Sequence, residues 1–235
     1  MSGITEATLA EDTVALIPAA GAGLRLGQGP KAFLQIGGKS LLHHVVELVR
    51  QRVARILVAV PAEHLEIAQE QLAGRAKVLI GGATRLDTLA GLLAACSESL
   101  VVVHDAARPF ASLETLTQVI EGARLHGAAA ACRPISVPTA IIEDGMAKSA
   151  VSPTHGRSFE TPQAYQRAVM EKTFRYIREH GVEDDAFSNL VLRGGTPLQL
   201  IPDREWNFKI TTPLDWEIAV KVIAPMLWPD VGSNQ

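Results

Sequence analysis

The sequence predicts an α/β protein built on a mainly parallel, twisted sheet with helices on both faces. Short apolar runs with the composition of strands alternate with helix-like segments along most of the 235 residues. The links between them are short, which is typical of βαβ units in a parallel sheet. The apolar runs are continuous rather than alternating, as in strands that are buried on both faces. A chain of this length can form one domain with a large core.

The first half of the chain contains four predicted strands and three predicted helices. The strands are the aliphatic runs at 14–18, 55–60, 77–80 and 100–104. Ser40 is a suitable N-cap for the first helix, whose apolar positions from 41 to 49 share one face. Pro61 suits the first turn of a second helix that extends to about residue 73, and a third helix is expected at about 86–95.

The second half is less regular. Ser112 caps a predicted helix that ends near Gly127, and a fifth strand follows at 128–135. Residues 136–160 interrupt the alternation, because they contain two prolines, two glycines and no long helical period. They form either a flexible insertion or an arm that packs against another subunit.

Three further elements complete the predicted core. They are a helix at 164–180, a strand at 197–201 and a helix that begins at Thr212, with proline in its first turn. We therefore predict one domain over residues 13–225, an arm at about 136–160, and tails at 1–12 and 228–235.

Composition and charge exclude several classes of protein. The hydrophobic content of 47% is too high for a disordered chain. The net charge of −3 argues against a nucleic-acid scaffold, although a small anionic ligand needs only a local basic pocket. The sequence contains no run of 18 apolar residues, so it predicts no membrane span, and residues 1–12 lack the basic residues of a targeting peptide. We expect a cytoplasmic protein without nucleic-acid or membrane partners, in which Cys96 and Cys132 are buried, reduced thiols.

A glycine-rich loop directly after the first strand is the first candidate site. Residues 19–27 read Ala-Ala-Gly-Ala-Gly-Leu-Arg-Leu-Gly, and Lys31 follows. Small residues let a ligand approach the backbone, whose consecutive N–H groups can bind an anion. Because Arg25 and Lys31 add two positive charges, the loop is a candidate phosphate site rather than a plain turn.

Two familiar nucleotide motifs do not fit this stretch. A dinucleotide fingerprint needs its third glycine one residue before Gly27 and an acidic residue at the end of the second strand, where the chain has Val60. A P-loop needs a glycine where the chain has Phe33, which leaves Lys39 as a solvated lysine before a helix cap. An NAD-dependent oxidoreductase is therefore disfavoured.

Two more loops follow the third and fourth strands. Ligands of parallel sheets bind beyond the carboxyl ends of the strands, so these loops should face the same site. In the first, Gly81 and Gly82 expose backbone donors and acceptors of the kind that match a cytosine edge. The alternative there is a plain turn in which Arg85 and Asp87 pair with each other.

The second of these loops has the sequence His-Asp-Ala-Ala-Arg-Pro and contains Asp105. A carboxylate at the end of a strand suits Mg²⁺, which proteins hold through one or two carboxylates together with substrate phosphates. His104 is expected to be a packed residue, and no histidine or cysteine spacing suggests zinc. Further along the chain, Lys209 precedes a helix start whose positive end favours a phosphate.

Taken together, these motifs resemble those of the 2-C-methyl-D-erythritol 4-phosphate cytidylyltransferase family. The motifs are PAAGxGxRxG with a following PK, then GGxxRxDT, VHDAARPF, TPQ and NFKITTPLD, in that order, over about residues 13–220. The resemblance implies a Rossmann-like α/β domain that joins CTP to methylerythritol phosphate and releases pyrophosphate, with Mg²⁺ or another divalent cation. It also implies a homodimer, in which the arm at 136–160 completes the partner's active site.

The resemblance further implies roles for individual residues. Arg25, Lys31 and Lys209 would be the catalytic cations, and Asp105 would hold the metal. Thr139, Arg157 and Thr161, with Lys209, would hold the acceptor phosphate. The residues that would bind the nucleotide are Ala19, Ala20, Gly21, Gly23, Gly81, Gly82, Thr88, Asp105 and Ala106.

The arm departs from the family pattern. Pro138 and Ile141 stand where charged residues are usual, only three residues separate Arg157 from Thr161, and Glu183 replaces a usual threonine. Two alternatives therefore stay open: a cytidylyltransferase for another polyol phosphate such as ribitol 5-phosphate, and a catalytically weak nucleotide-binding protein on the same fold.

Overall fold

The computed structural model describes residues 10–21, 29–182 and 186–229. The strands in these ranges are β1 (Ala10–Pro18), β2 (Gln35–Ile36), β3 (Lys39–Ser40), β4 (Val53–Val60), β5 (Lys77–Ile80), β6 (Leu100–Val103), β7 (Ala128–Pro134), β8 (Thr139–Glu143), β9 (Met146–Val151), β10 (Arg157–Gln166) and β11 (Gln199–Pro202). Seven of them form one sheet in the order β11-β7-β10-β6-β1-β4-β5. Its neighbouring strands are parallel except at β10, which is antiparallel to β6 and to β7. The predicted α/β class with a mainly parallel sheet is confirmed.

The helices cover both faces of this sheet. They are α1 (Leu41–Val49), α2 (Leu65–Leu72), α3 (Arg85–Ala94), α4 (Leu113–His126), α5 (Arg167–His180), α6 (Phe187–Arg193), α7 (Pro213–Ile218) and α8 (Ala224–Leu227), the last two joined by a π-helical turn at Ala219–Ile223. Over the described residues, no helix has the length and apolar character needed to cross a membrane.

The apolar core forms one cluster on each face of the sheet, because successive side chains of a strand point to opposite faces. In β1, Ala15 and Ile17 belong to the cluster that also contains residues of α1, α2 and α4. Val14 and Leu16 point to the other face and join a cluster with residues of α3, α5 and α6. Successive side chains of a strand lie on opposite faces, so a strand covered on both sides must be apolar throughout. The continuous apolar run at 14–17 therefore has the physical cause that the sequence analysis assumed.

The predicted helix starts are confirmed by their capping contacts. Ser40 accepts a hydrogen bond from His43 N at 3.2 Å, and Ser112 accepts one from Thr115 N at 3.0 Å. Thr212 and Asp215 form a reciprocal capping box at the start of α7. Each cap satisfies a backbone donor that the first helical turn leaves unpaired.

The prediction of a helix at 164–180 is wrong at its beginning. Residues 164–166 belong to β10, and α5 starts at Arg167. Ala164 and Tyr165 are fully buried and pair with β6 on one side and β7 on the other. A strand inserted between two others gains hydrogen bonds along both edges, which a helix at this place would leave unmade.

Within the predicted arm at 136–160, residues 139–151 form a β-hairpin, whereas residues 157–160 already belong to β10. Strands β8 and β9 pair with each other in antiparallel register. Asp144 and Gly145, with φ of 49° and 75°, form the tight two-residue turn between them, as is typical of an Asp-Gly hairpin. The side chains of Ile141, Ile142 and Met146 are exposed on this hairpin.

Trp228, the first residue of the segment predicted as a tail at 228–235, packs against the domain. Trp228 stacks on the ring of His44 at a centroid distance of 4.2 Å and also packs against Phe110. It belongs to a third apolar cluster that attaches the π-helical turn and α8 to the domain. Residues 230–235 and 1–9 lie outside the described part of the chain.

Candidate active site

A cavity of about 750 Å³ opens at the carboxyl edge of the sheet. The loops after β1, β5 and β6 border it, and so does the loop between β11 and α7. Because β10 is antiparallel to β6, its first residues reach this same edge. Ten of the predicted site residues line the cavity: Ala19, Ala20, Gly21, Lys31, Gly82, Thr88, Asp105, Ala106, Thr161 and Lys209.

The other predicted site residues fall into three groups. Gly81 is not among the residues that line the cavity, although a Cβ on it would touch Ala20, which does line it. Thr139 and Arg157 do not line the cavity of their own chain, since Thr139 lies on the exposed hairpin and Arg157 at its base. Gly23 and Arg25 lie outside the described residues.

Asp105 is the electrostatic centre of the cavity. One carboxylate oxygen, Oδ1, lies 2.6 Å from Arg85 Nη2, and the other, Oδ2, lies 2.9 Å from Lys209 Nζ. Burial alone would raise the pKa of Asp105, but the charges of Arg85, Lys209 and Arg108 outweigh it. The pKa therefore lies far below its usual range and the side chain stays ionised.

Arg85 is a site residue that the sequence analysis missed. The open alternative was that it pairs with Asp87, but Asp87 instead closes a capping box with Thr84 at the start of α3. Arg85 is left to reach across the cavity edge to Asp105. Its place at the start of α3, directly after the loop at the carboxyl end of β5, was the signal that could have indicated this.

Lys31 and Lys209 both line the cavity, although they lie near opposite ends of the sequence. Lys31 Nζ donates to the carbonyl oxygens of Ile210 and Thr211, at 3.1 Å each. These carbonyls directly follow Lys209 in the chain. The ammonium group of Lys31 is therefore held by the segment that directly follows Lys209, although 178 positions separate the two lysines in the sequence (209 minus 31).

The glycine pair after β5 is fixed by Thr88. The Thr88 hydroxyl accepts a hydrogen bond from Gly82 N at 3.0 Å and donates one to Thr84 O at 2.9 Å. A Cβ on Gly81 would lie 2.3 Å from the Cβ of Ala20. The two backbone loops thus touch directly, and only glycine permits that approach.

Changing Gly81 to alanine should disturb the cavity without disturbing the core. The new methyl group must push the Gly81 loop away from Ala20, and overpacking of this kind costs about 1–3 kcal/mol. We expect the KM for CTP, the nucleotide that the motif resemblance implies, to rise about tenfold, measured by steady-state kinetics. The control is Gly91→Ala, where a Cβ meets nothing within 4 Å inside α3. An unchanged KM in Gly81→Ala would contradict the role of this contact.

A network of buried polar groups holds the Asp105 loop. Asp105 N donates to Thr161 Oγ1 at 3.0 Å, which gives the predicted acceptor residue Thr161 a structural contact as well. Asn207 Nδ2 donates to Thr161 O at 2.8 Å, and Arg108 Nη1 donates to Asn207 O at 2.7 Å. The roles of Arg108 and Asn207 were not predicted, because their partners are distant in sequence.

His104 is packed behind the site, as predicted. It is fully buried, and its Nε2 lies 3.1 Å from the carbonyl oxygen of Arg108, so Nε2 carries the proton. Burial lowers the pKa of His104 to about 4, although the charge of Asp105 acts in the opposite direction. The imidazole is therefore neutral at physiological pH.

This lowered pKa predicts a pH-dependent stability. Between about pH 6.5 and pH 4 the unfolded state binds a proton on His104 that the folded state does not, so acid favours unfolding. We expect the free energy of unfolding to fall by up to about 3 kcal/mol as the pH drops through this window. Urea unfolding at several pH values measures the slope. A slope that is equally steep in His104→Asn would show that His104 is not its source.

The donor set around Asp105 fits a magnesium ion that is held mainly by phosphates. Within the described ranges no group of three His, Cys, Asp or Glu side chains could hold a metal by itself. Mg²⁺ in nucleotide sites commonly takes one or two carboxylates and completes its shell with phosphates and water. Because Arg85 and Lys209 now contact the Asp105 oxygens, the ion would have to replace at least one of them.

Comparison with known proteins agrees with these features. Residues 13–224 match the family model described as 2-C-methyl-D-erythritol 4-phosphate cytidylyltransferase. The protein of that name from Thermus thermophilus is 41% identical over 205 residues, which cover 87% of this chain and 93% of the relative. The one from Deinococcus radiodurans is 34% identical over 211 residues, which cover 88% of each chain.

A solved structure leads to the same conclusion. The crystal structure of the 2-C-methyl-D-erythritol 4-phosphate cytidylyltransferase from Thermus thermophilus superposes with a TM-score of 0.74 at 35% identity, and the match covers 91% of this chain and 98% of that chain. The resemblance inferred from the sequence motifs is confirmed. The chain therefore belongs to the 2-C-methyl-D-erythritol 4-phosphate cytidylyltransferase family.

Proposed function

We propose that the protein joins CTP to 2-C-methyl-D-erythritol 4-phosphate, as a step of the non-mevalonate isoprenoid pathway. The products are 4-diphosphocytidyl-2-C-methyl-D-erythritol and pyrophosphate. The observation that carries the proposal is the convergence of Lys31, Lys209 and Asp105 on one cavity beside the small-residue loop after β1. This arrangement suits two phosphate-bearing substrates in a member of this family.

The reaction needs positioning and charge neutralisation more than covalent help from the protein. An oxygen of the acceptor phosphate attacks the α-phosphorus of CTP, and the bond from that phosphorus to the oxygen that links it to the β-phosphate breaks, so that this oxygen leaves with pyrophosphate. The attacking phosphate is already ionised near neutral pH, so no general base is required. The neutral, buried His104 is consistent with this, because it cannot reach substrate.

The cavity offers the charges that this reaction requires. Both substrates are polyanions, and their mutual repulsion is large where water is excluded. Lys31 and Lys209 would neutralise phosphate oxygens and align the attacking oxygen with the leaving group. Asp105 would hold Mg²⁺, which supplies further neutralisation of the triphosphate when it is bound. Arg25 would add another cation from the loop after β1.

We further propose that the protein acts as a homodimer through its hairpin arm. Three exposed apolar side chains on β8 and β9 (Ile141, Ile142 and Met146) are suited to burial against a second copy. Thr139 and Arg157, which do not line their own chain's cavity, would then serve the partner's acceptor site. Light scattering coupled to gel filtration tests this, and a monomer at micromolar concentration would contradict it.

The free thiols of Cys96 and Cys132 fit a reducing compartment, so we expect the reaction to take place in the cytoplasm. The test of the function is pyrophosphate release with CTP and Mg²⁺, with 2-C-methyl-D-erythritol 4-phosphate and ribitol 5-phosphate run in parallel. Fast release with the first acceptor alone is expected, and release should stop when EDTA removes the metal. Release with ribitol 5-phosphate, or with neither acceptor, would reject the proposed reaction.

A further inference from the structure

Glu160 is a buried carboxylate in the cavity wall that the proposed reaction does not use. It is only 3% exposed and lies at the start of β10, directly before Thr161. Arg133 donates to its Oε1 through Nε at 3.0 Å and through Nη2 at 2.8 Å. Arg108 Nη1 contacts its other oxygen, Oε2. A buried carboxylate is costly unless it is paired, and here two guanidinium groups pair with it.

Both arginines also hold the backbone of the segment that leads to Lys209. Arg133 Nη1 donates to Glu205 O at 2.9 Å, and Arg108 Nη1 donates to Asn207 O at 2.7 Å. Two residues later, Lys209 Nζ lies 2.9 Å from Asp105 Oδ2. Glu160 is thus the common partner of the two side chains that fix residues 205–207 against the sheet.

We propose that Glu160 is a positioning residue for Lys209, acting through Arg108 and Arg133, and that it links this lysine to the base of the hairpin arm. The link to the arm follows from the strands involved. Arg133 lies near the end of β7, where the chain leaves for the hairpin, and Glu160 lies near the start of β10, where it returns. The inference rests on the proposed role of Lys209 in holding the acceptor phosphate.

The charges around Glu160 explain why a neutral side chain at this position would not keep Lys209 in place. Arg108 is 8% exposed, and its Nε already lies 4.0 Å from Asp105 Oδ2, the oxygen that Lys209 contacts. Without the Glu160 charge, Asp105 is the nearest remaining carboxylate for Arg108. Arg108 would then compete with Lys209 for the same oxygen, and the ammonium group would lose its fixed position.

The first experiment is a kinetic cycle with Glu160→Gln and Lys209→Ala. We expect Glu160→Gln to raise the KM for the acceptor about tenfold and to change the KM for CTP by less than about twofold. In the Lys209→Ala background the same change should add little, because the lysine that it positions is absent. Equal rises in both KM values, or an additive double variant, would overturn the proposal.

The second experiment reads the position of Lys209 without any turnover. Acetylation of Lys209 by an amine-reactive reagent, followed by peptide mass spectrometry, should be severalfold faster in Glu160→Gln, since the ion pair to Asp105 is weakened. An unchanged acetylation rate would overturn the inference even in a protein that proves inactive. Failure of the wild type to release pyrophosphate would instead reject the proposed function, so the two failures are distinct.

Two further variants serve as a control and as a second test of the proposal. Glu114→Gln is the matched control, because Glu114 is an exposed glutamate that pairs with Arg204 outside the cavity, and it should match the wild type in both assays. Arg133→Met removes one of the two links while Arg108 still pairs with Glu160, so it should fold even where Glu160→Gln does not. It should raise the KM for the acceptor by a smaller factor than Glu160→Gln does, again with little change in the KM for CTP. If the KM for the acceptor does not rise in Arg133→Met, the proposal is overturned.

Discussion

Lys31→Ala is expected to lower kcat/KM by about 10²–10³, which corresponds to about 3–4 kcal/mol of lost transition-state stabilisation. Lys31 lines the cavity, and its ammonium group sits on the carbonyls of Ile210 and Thr211 beside Lys209. During the reaction negative charge shifts onto the departing pyrophosphate, and a fixed cation stabilises that charge without reorganisation. Steady-state pyrophosphate release measures the effect.

The fold should survive this substitution. The hydrogen bonds from Lys31 to Ile210 and Thr211 contribute about 1 kcal/mol each, against a total stability of about 5–15 kcal/mol. Thermal unfolding should therefore show one transition at a modestly lower temperature. Lys39→Ala is the matched control, because Lys39 is an exposed lysine just before α1, and its activity should be normal. A Lys31→Ala enzyme with more than about a tenth of wild-type activity would remove Lys31 from the catalytic group.

Asp105→Asn should have the other large effect, a loss of about 10²–10³ in kcat/KM together with a higher Mg²⁺ requirement. The amide keeps the size of the side chain but removes its charge. Arg85 and Lys209 then face each other without the carboxylate that now lies between them. Like charges repel, so both side chains are expected to move away from the positions that the substrates need.

A Mg²⁺ titration of activity separates the two parts of this prediction. If Asp105 holds the ion, the half-saturating Mg²⁺ concentration rises in Asp105→Asn. If Asp105 only orders the cations, kcat falls while the Mg²⁺ requirement stays the same, and the metal role is rejected. Asp12→Asn is the control, since Asp12 pairs with Arg124 on the surface and a surface pair contributes only about 0–1 kcal/mol.

Local signals in the sequence accounted for most of the helices and for much of the site. The caps at Ser40, Ser112 and Thr212 depend on contacts within three residues, so the sequence pattern suffices to place them. One local signal was overlooked: Asp144-Gly145 is a standard hairpin turn, and it could have identified β8 and β9 in advance. Helix α6 carried no cap or period clear enough to be predicted.

The missed features share a dependence on distant partners. Residues 164–166 have the composition of a helix start, but they are buried between β6 and β7 and form hydrogen bonds with both strands. Arg85 pairs with Asp105 rather than with its near neighbour Asp87, because a capping box already uses that carboxylate. In each case a contact between residues that are far apart in the sequence outweighs the local preference.

The sequence by itself determined the α/β class through short-range capping and periodicity, and its motifs indicated the family and most of the cavity-lining residues through their resemblance to that family. Only the tertiary structure decided the antiparallel insertion of β10, and with it the position of Glu160 and Thr161 at the cavity edge. It also decided which cation pairs with which carboxylate. The physical reason is that burial on both faces and charge pairing depend on side chains that folding brings together from distant parts of the chain.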